Sequence, residues 1–111
     1  MAALKRIAGP AYIANAAANI YTPPASTIHT VIRHIHIANK TSGTGTFALY
    51  VGATGGSAGG TELFGTLTPV AAYDYLDWYG ELKMLSTDFL SGVASAANSL
   101  VITVTGDQEV V

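Results

Sequence analysis

The sequence predicts a single all-β domain, a jelly-roll-like β-sandwich of about eight short strands with an extended N-terminal arm. Three observations predict it. Apolar residues recur at every second position in several short stretches, as they do where one face of a strand meets a core. Turn segments rich in Gly, Ser, Asn and Pro separate these stretches at regular spacing. The chain has 111 residues, enough for one domain and no more, and half of them are apolar, so a core can form without staples. No internal repeat of ~20–50 residues is present, which excludes solenoids and propellers.

The elements follow in order. Residues 1–19 read as an arm: Met1 to Ile7 is short and weakly amphipathic, Gly9-Pro10 interrupts it, and the Ala- and Asn-rich stretch to Asn19 has no clean period. A short helix over Ala14–Ala18 competes there with irregular or extended chain. Lys5 and Arg6 followed by Ala14-Asn15-Ala16 imitate a signal peptide, but an uninterrupted apolar run of ~7–15 residues is missing, so none is expected. No run approaches the ~18 apolar residues of a membrane span, and no membrane contact is expected.

The sandwich domain is expected over residues 20–111. Pro23-Pro24 marks its entry, since proline cannot donate to a ladder. Thr27 to Ala38 is the clearest strand. Val31, Ile35 and Ile37 share one face with Arg33, and Ile28, Ile32, His34 and His36 share the other. With apolar residues on both faces, this strand is central, bulged or covered on both sides. After a turn over Asn39 to Gly45, Thr46 to Val51 alternates, with Phe47, Leu49 and Val51 inward and Ala48 and Tyr50 outward. Gly52 to Gly60 is a Gly-rich loop, and Leu63 to Leu67 a short strand ahead of Pro69. Tyr73 to Gly80, Glu81 to Leu85, Phe89 to Ser95 and Leu100 to Thr105 complete the set.

Charge bounds the function. Asp, Glu, Lys and Arg make up 11% of the chain, less than half the usual share of about 25%, and the net charge is −2. Five scattered basic residues are too few to displace counterions from phosphates, so no direct nucleic-acid partner is expected. Thr, Ser, Ala and Gly must cover much of the exterior. Such a surface costs little to desolvate against another subunit, although Thr and Ser also suit any exposed strand face. With no cysteine there is no disulfide, and the redox compartment is unreadable.

Candidate sites are few. His34 and His36, two apart on a strand, project from one face and could reach one metal, with His29 and Glu81 as candidate further ligands. A metal needs three or four ligands, and the sequence fixes no others nearby. The two imidazoles are therefore expected to face solvent or an interface, and no metal or other cofactor is expected. The Gly52–Gly60 segment lacks the Lys and following helix of a phosphate loop. Asp74 and Asp77, three apart on extended chain, point to opposite faces and are poorly placed as an acid–base pair. Asp88 and Asp107 sit in apparent turns, where Asp caps local backbone. No nucleophile motif such as Gly-x-Ser-x-Gly occurs, so no enzyme activity and no catalytic residue is expected. Tyr73, Tyr75, Trp78 and Tyr79 form the most suggestive cluster, readable as core or sheet boundary, as a protein interface or as a sugar-stacking platform.

Several stretches resemble a small virion structural protein of tailed bacteriophages: Ile20-Tyr21-Thr22-Pro23-Pro24-Ala25, Val31 to Asn39, Asp77-Trp78-Tyr79-Gly80, Ala94 to Leu100 and Gly106 to Glu109. The likeness covers roughly Ile20 to the end of the chain. Leu85-Ser86-Thr87-Asp88 departs from the Gly-Asp turn expected there. The resemblance implies a β-sandwich subunit of the particle, present in many copies. The expected function is therefore a capsid decoration protein located in the virion. It would self-associate, a trimer being one closed form, and dock on major capsid or tail proteins. A minor tail or head–tail protein is the alternative, and a carbohydrate-binding module using Trp78 is the alternative of another class. The residues expected at an interface are Tyr12, Ile13, Tyr21, Tyr73, Tyr75, Trp78 and Tyr79.

Overall fold

A computed structural model describes residues 4–25, 27–57 and 59–110. The described residues form eight strands and no helix: β1 (Leu4–Tyr12), β2 (Ala18–Tyr21), β3 (Thr27–Asn39), β4 (Gly45–Gly52), β5 (Glu62–Val70), β6 (Tyr75–Leu85), β7 (Phe89–Ala94) and β8 (Leu100–Val110). They lie in two four-stranded antiparallel sheets, a first sheet ordered β1-β8-β3-β6 and a second ordered β2-β7-β4-β5. Only β4 and β5 follow one another within a sheet; every other connection crosses between the sheets. That winding is the jelly roll the spacing predicted.

The core fills the space between the sheets. Ile32, Ile35, Ile37, Leu100, Ile102, Val104 and Met84 from the first sheet meet Phe47, Leu49, Leu90 and Ala94 from the second, all buried. Each fully buried Ile or Leu contributes roughly 1.5–3 kcal/mol of transfer free energy, which is what holds two sheets with so few charges together.

The central strand β3 is both central and bulged. Ile32 pairs with Gly106 while His34 pairs with Thr105, so Arg33 is an extra residue relative to β8. The bulge reverses the alternation: Thr30 and Ile32 point into the core before it, Ile35 and Ile37 after it. Ile32 therefore does not share a face with His34 and His36, as strict alternation predicts. Arg33 and His34, consecutive in sequence, both come to lie on the outer face, each bonded there to side chains of a neighbouring strand.

Three further expectations are corrected. Residues 4–12 of the expected arm are the edge strand β1, paired with β8 from Leu4↔Asp107 to Tyr12↔Val101; residues 1–3 lie outside the described residues. Gly9-Pro10 does not end this strand, because Gly9, at φ +77°, absorbs a register shift within it. Tyr75 to Leu85 is one strand rather than two. Ala48 and Tyr50 are buried rather than outward, because the second sheet is covered on its outer side as well. There the Gly-rich loop folds back, and Ser91, the register partner of Tyr50, donates its hydroxyl hydrogen to the Gly56 carbonyl.

Candidate functional site

Strands of the first sheet carry eight of the twelve charged side chains of the molecule, and its outer face holds a cluster of ionisable and aromatic groups. β3 supplies His34 and His36, and β6 supplies Tyr75, Asp77 and Tyr79 at alternate positions. The register sets His36 opposite Asp77 and His34 opposite Tyr79. One carboxylate oxygen, Asp77 Oδ1, lies 2.7 Å from His34 Nε2 and 2.7 Å from His36 Nδ1. The Tyr79 ring stacks on His34 at 4.5 Å and 8°, and the Tyr75 ring leans on His36 at 5.4 Å. The two imidazoles are thus held in orientation by a ring on one side and a carboxylate on the other. Hydrogen bonds from His36 and then His34 hold the Asp77 carboxyl below its ordinary value, since both favour the charged acceptor.

Beside this trio lies a second polar cluster. Arg33 donates from Nε to Asp107 at 2.6 Å and from a terminal nitrogen to Glu81 at 2.7 Å. These bonds, that to Asp107 first, raise the guanidinium further above its ordinary value and keep it charged. Asp107 therefore belongs to β8 and an ion pair, not to a turn. Asp88 does cap one, its carboxylate accepting from the Leu85 backbone N–H at 2.9 Å.

The expected metal ligands separate. His29 lies toward Glu109, 3.6 Å away, and Glu81 is taken by Arg33. The third group beside His34 and His36 is Asp77, which strand-internal spacing could not place because it arrives from the adjacent strand. A signal for it was present: Tyr75-x-Asp77-x-Tyr79 has the same period of two as His34-x-His36.

The expected interface residues also separate. Ile13 is fully buried, and Tyr21 is 8% exposed, its hydroxyl bonded to Thr30 and Gln108. Both are core residues, because the chain passes between the sheets at these points. Trp78 pairs with the inward-facing Ile35 and, half-buried, packs against the core. Tyr12, Tyr73, Tyr75 and Tyr79 remain exposed, at 47%, 73%, 62% and 72%.

The two sheets differ at their edges. The second sheet ends in β2, four residues long, and β5, which carries Pro69 and two register shifts. Short edges, proline and bulges all discourage pairing with another chain. The first sheet ends in β1 and β6, nine and eleven residues long; β1 also carries a proline, Pro10, and two register shifts, whereas β6 carries no proline. β1 carries Lys5 and Arg6 and no acid; β6 carries Asp77 and Glu81 beside one base, Lys83.

Comparison with protein-family models returns no match, and neither does comparison with curated proteins. Among solved structures, a subunit described with Bacillus endospore appendages, a family of disulfide-linked pili, matches with a TM-score of 0.54 at 16% identity. The match covers 100% of this chain and 89% of that one. At this identity the likeness shows a shared fold.

Proposed function

We propose that the chain is a structural subunit, used in many copies, that assembles by edge-to-edge extension of its first sheet onto a second copy of itself. The observation that carries this reading is the match between the two long edges. Four strands alternate in direction across the sheet, so a copy displaced sideways brings its β1 antiparallel to β6. The register rows run straight across: Arg6, Thr105, His34 and Tyr79 form one, and Lys5, Gly106, Ile32 and Leu82 another. An unstaggered neighbour therefore sets its Arg6 beside Tyr79 and its Lys5 beside Leu82, with Glu81, already bonded to Arg33 within its own chain, at the intervening position of β6 and shared with the neighbour's bases. A further row ends in Tyr12 on one edge and Tyr75 on the other. Pro10 has no N–H to give, so pairing rests on the Lys5–Ala8 part of β1. Each contact is heterologous, and sheet twist rotates successive copies, giving a ring or a helical array.

The assembly proposed is the bacteriophage particle, with the chain as a capsid decoration protein or, placed elsewhere on the particle, a minor tail or head–tail protein. The sequence resemblance supports that setting. The fold shared with a pilus subunit supports the broader class of repeated structural subunits. These 111 residues carry no cysteine, so their own contacts would be non-covalent, unlike the disulfide links of those pili.

Light scattering across a dilution series tests the reading. The wild-type chain is expected to form concentration-dependent oligomers, Arg6→Glu to shift them toward monomer by tenfold or more in concentration, and Arg6→Glu with Glu81→Lys to recover part of the loss. A monomer at every concentration, or oligomers indifferent to Arg6→Glu, would overturn it.

A further inference from the structure

We infer that His34, His36 and Asp77 form a binding site for a late first-row divalent metal ion of the zinc type, on the outer face of the first sheet. All three groups belong to one chain, so the site is independent of how copies of the chain assemble. Two imidazole nitrogens and one carboxylate oxygen from adjacent strands converge so that all three lie within 4.8 Å of one another. Imidazole with a single carboxylate is the donor set of zinc and its neighbours, whereas calcium and magnesium take all-oxygen shells.

The trio must adjust on binding: the two imidazole nitrogens, up to 4.8 Å apart, close toward one another as the carboxylate draws back. A tetrahedral ion with bonds of ~2.0–2.1 Å keeps its ligand atoms ~3.3 Å apart. The present separations from Asp77 Oδ1 are 2.7 Å, so the carboxylate must withdraw by roughly half an ångström. Asp77 lies on an edge strand, with nothing paired on its far side among the described residues. In binding, each neutral imidazole moves its proton to the far nitrogen, Nδ1 of His34 and Nε2 of His36, and presents a lone pair to the ion. No proton leaves a neutral ring, and the carboxylate is already charged.

The surroundings favour the ion over a plain hydrogen-bonded trio. Tyr79 and Tyr75 fix the ring planes before any ion arrives, which lowers the ordering cost of binding. Arg33, the nearby cation, is already bonded to Glu81 and Asp107, so it opposes a divalent charge weakly. The His34 and His36 side chains keep 29% and 38% of their surface open, leaving a fourth position to water or to a donor from another molecule.

Isothermal titration of metal-free protein with zinc chloride tests this, with calcium chloride as the control. One zinc per chain and no calcium response are expected. His36→Gln and Asp77→Asn, each checked as folded by circular dichroism, should weaken zinc binding tenfold or more, and His29→Gln should leave it unchanged. On the wild-type chain, zinc should shift the imidazole proton resonances of His34 and His36 and spare those of His29. Absence of saturable zinc binding, binding retained in both ligand variants, or resonance shifts confined to His29 would overturn the assignment.

Discussion

The two sheets of this sandwich share one core and differ in nearly everything outside it. Strands of the first sheet carry Lys5, Arg6, Arg33, Asp77, Glu81, Lys83, Asp107 and Glu109 together with all three histidines. Strands of the second sheet carry one charged side chain, Glu62. The first sheet leaves an open polar face between two long edges, while the second is covered outside its core at Ala48, Tyr50 and Ser91 and ends in one short strand and one that carries a proline. In a chain with so little charge, its concentration on one sheet is the feature on which the proposed ion site and edge contacts rest. The second sheet gives that face a rigid backing.

The largest expected effect tests whether the first sheet depends on its bulge. A Cβ at Gly106 would stand 2.1 Å from the Val31 carbonyl oxygen and 3.1 Å from the Ile32 Cα, both backbone atoms of the central strand. Gly106→Ala must therefore push β3 and β8 apart where the alternation of β3 reverses. A loss of about 3 kcal/mol is expected, the upper part of the range for overpacking. The corresponding change in the second sheet is Gly92→Ala, whose Cβ would meet the Leu49 Cδ2 at 2.7 Å and the Ala48 carbonyl oxygen and Ile20 Cδ1 at 3.0 Å. The nearest atom is a side-chain end that can shift, and the backbone contact is far looser than at Gly106, so a loss of about 1 kcal/mol is expected. Urea denaturation of the two variants measures both; equal losses would remove the distinction between a backbone-limited and a side-chain-limited sheet.

A smaller effect tests the tie between the sheets. Asn39 ends β3, yet its buried amide serves the second sheet: Nδ2 faces the carbonyls of Gly43, Val70 and Ala71 at 2.8, 3.0 and 3.2 Å. Its Oδ1 accepts from the backbone and the hydroxyl of Thr41. Asn39→Ala leaves those carbonyls without this donor and is expected to cost about 2 kcal/mol, with faster hydrogen exchange in the segments 40–44 and 70–74. A loss under about half that would mean that water replaces the amide there.

The difference between the sheets also explains what could be read from the sequence. Period-two patterning gave the fold class and most strands, because burial on one face dictates alternation. It assigned Ile32 to the face of His34 because one extra residue, Arg33, inverts the pattern and leaves no local mark. Tyr21 resembled an interface aromatic because its hydroxyl partners, Thr30 and Gln108, are remote in sequence or on another strand. Asp77 was visible as a residue but not as a neighbour of His34 and His36, since pairing between β3 and β6 spans some forty positions. Ala48 and Tyr50 read as outward because alternation cannot reveal that a loop returns over the second sheet.

That loop carries the smallest expected effect. Ser91 is 1% exposed, and its hydroxyl meets the Gly56 carbonyl, holding the Gly-rich segment against the outer face beside Tyr50. Ser91→Ala removes the latch but keeps the volume, and should cost about 1 kcal/mol, the net worth of one neutral hydrogen bond. Exchange should quicken across residues 53–57, and Tyr50 should become more accessible to quenchers, while the register of β4 with β7 stays intact. If stability instead falls as far as in Asn39→Ala, the loop is a true third layer of the second sheet. Gly55, where an added Cβ would meet the Asn19 Oδ1 at 3.0 Å and the Phe89 ring at 3.3 Å, would then serve close packing, and the sheet would be as firmly built there as in the core beneath it.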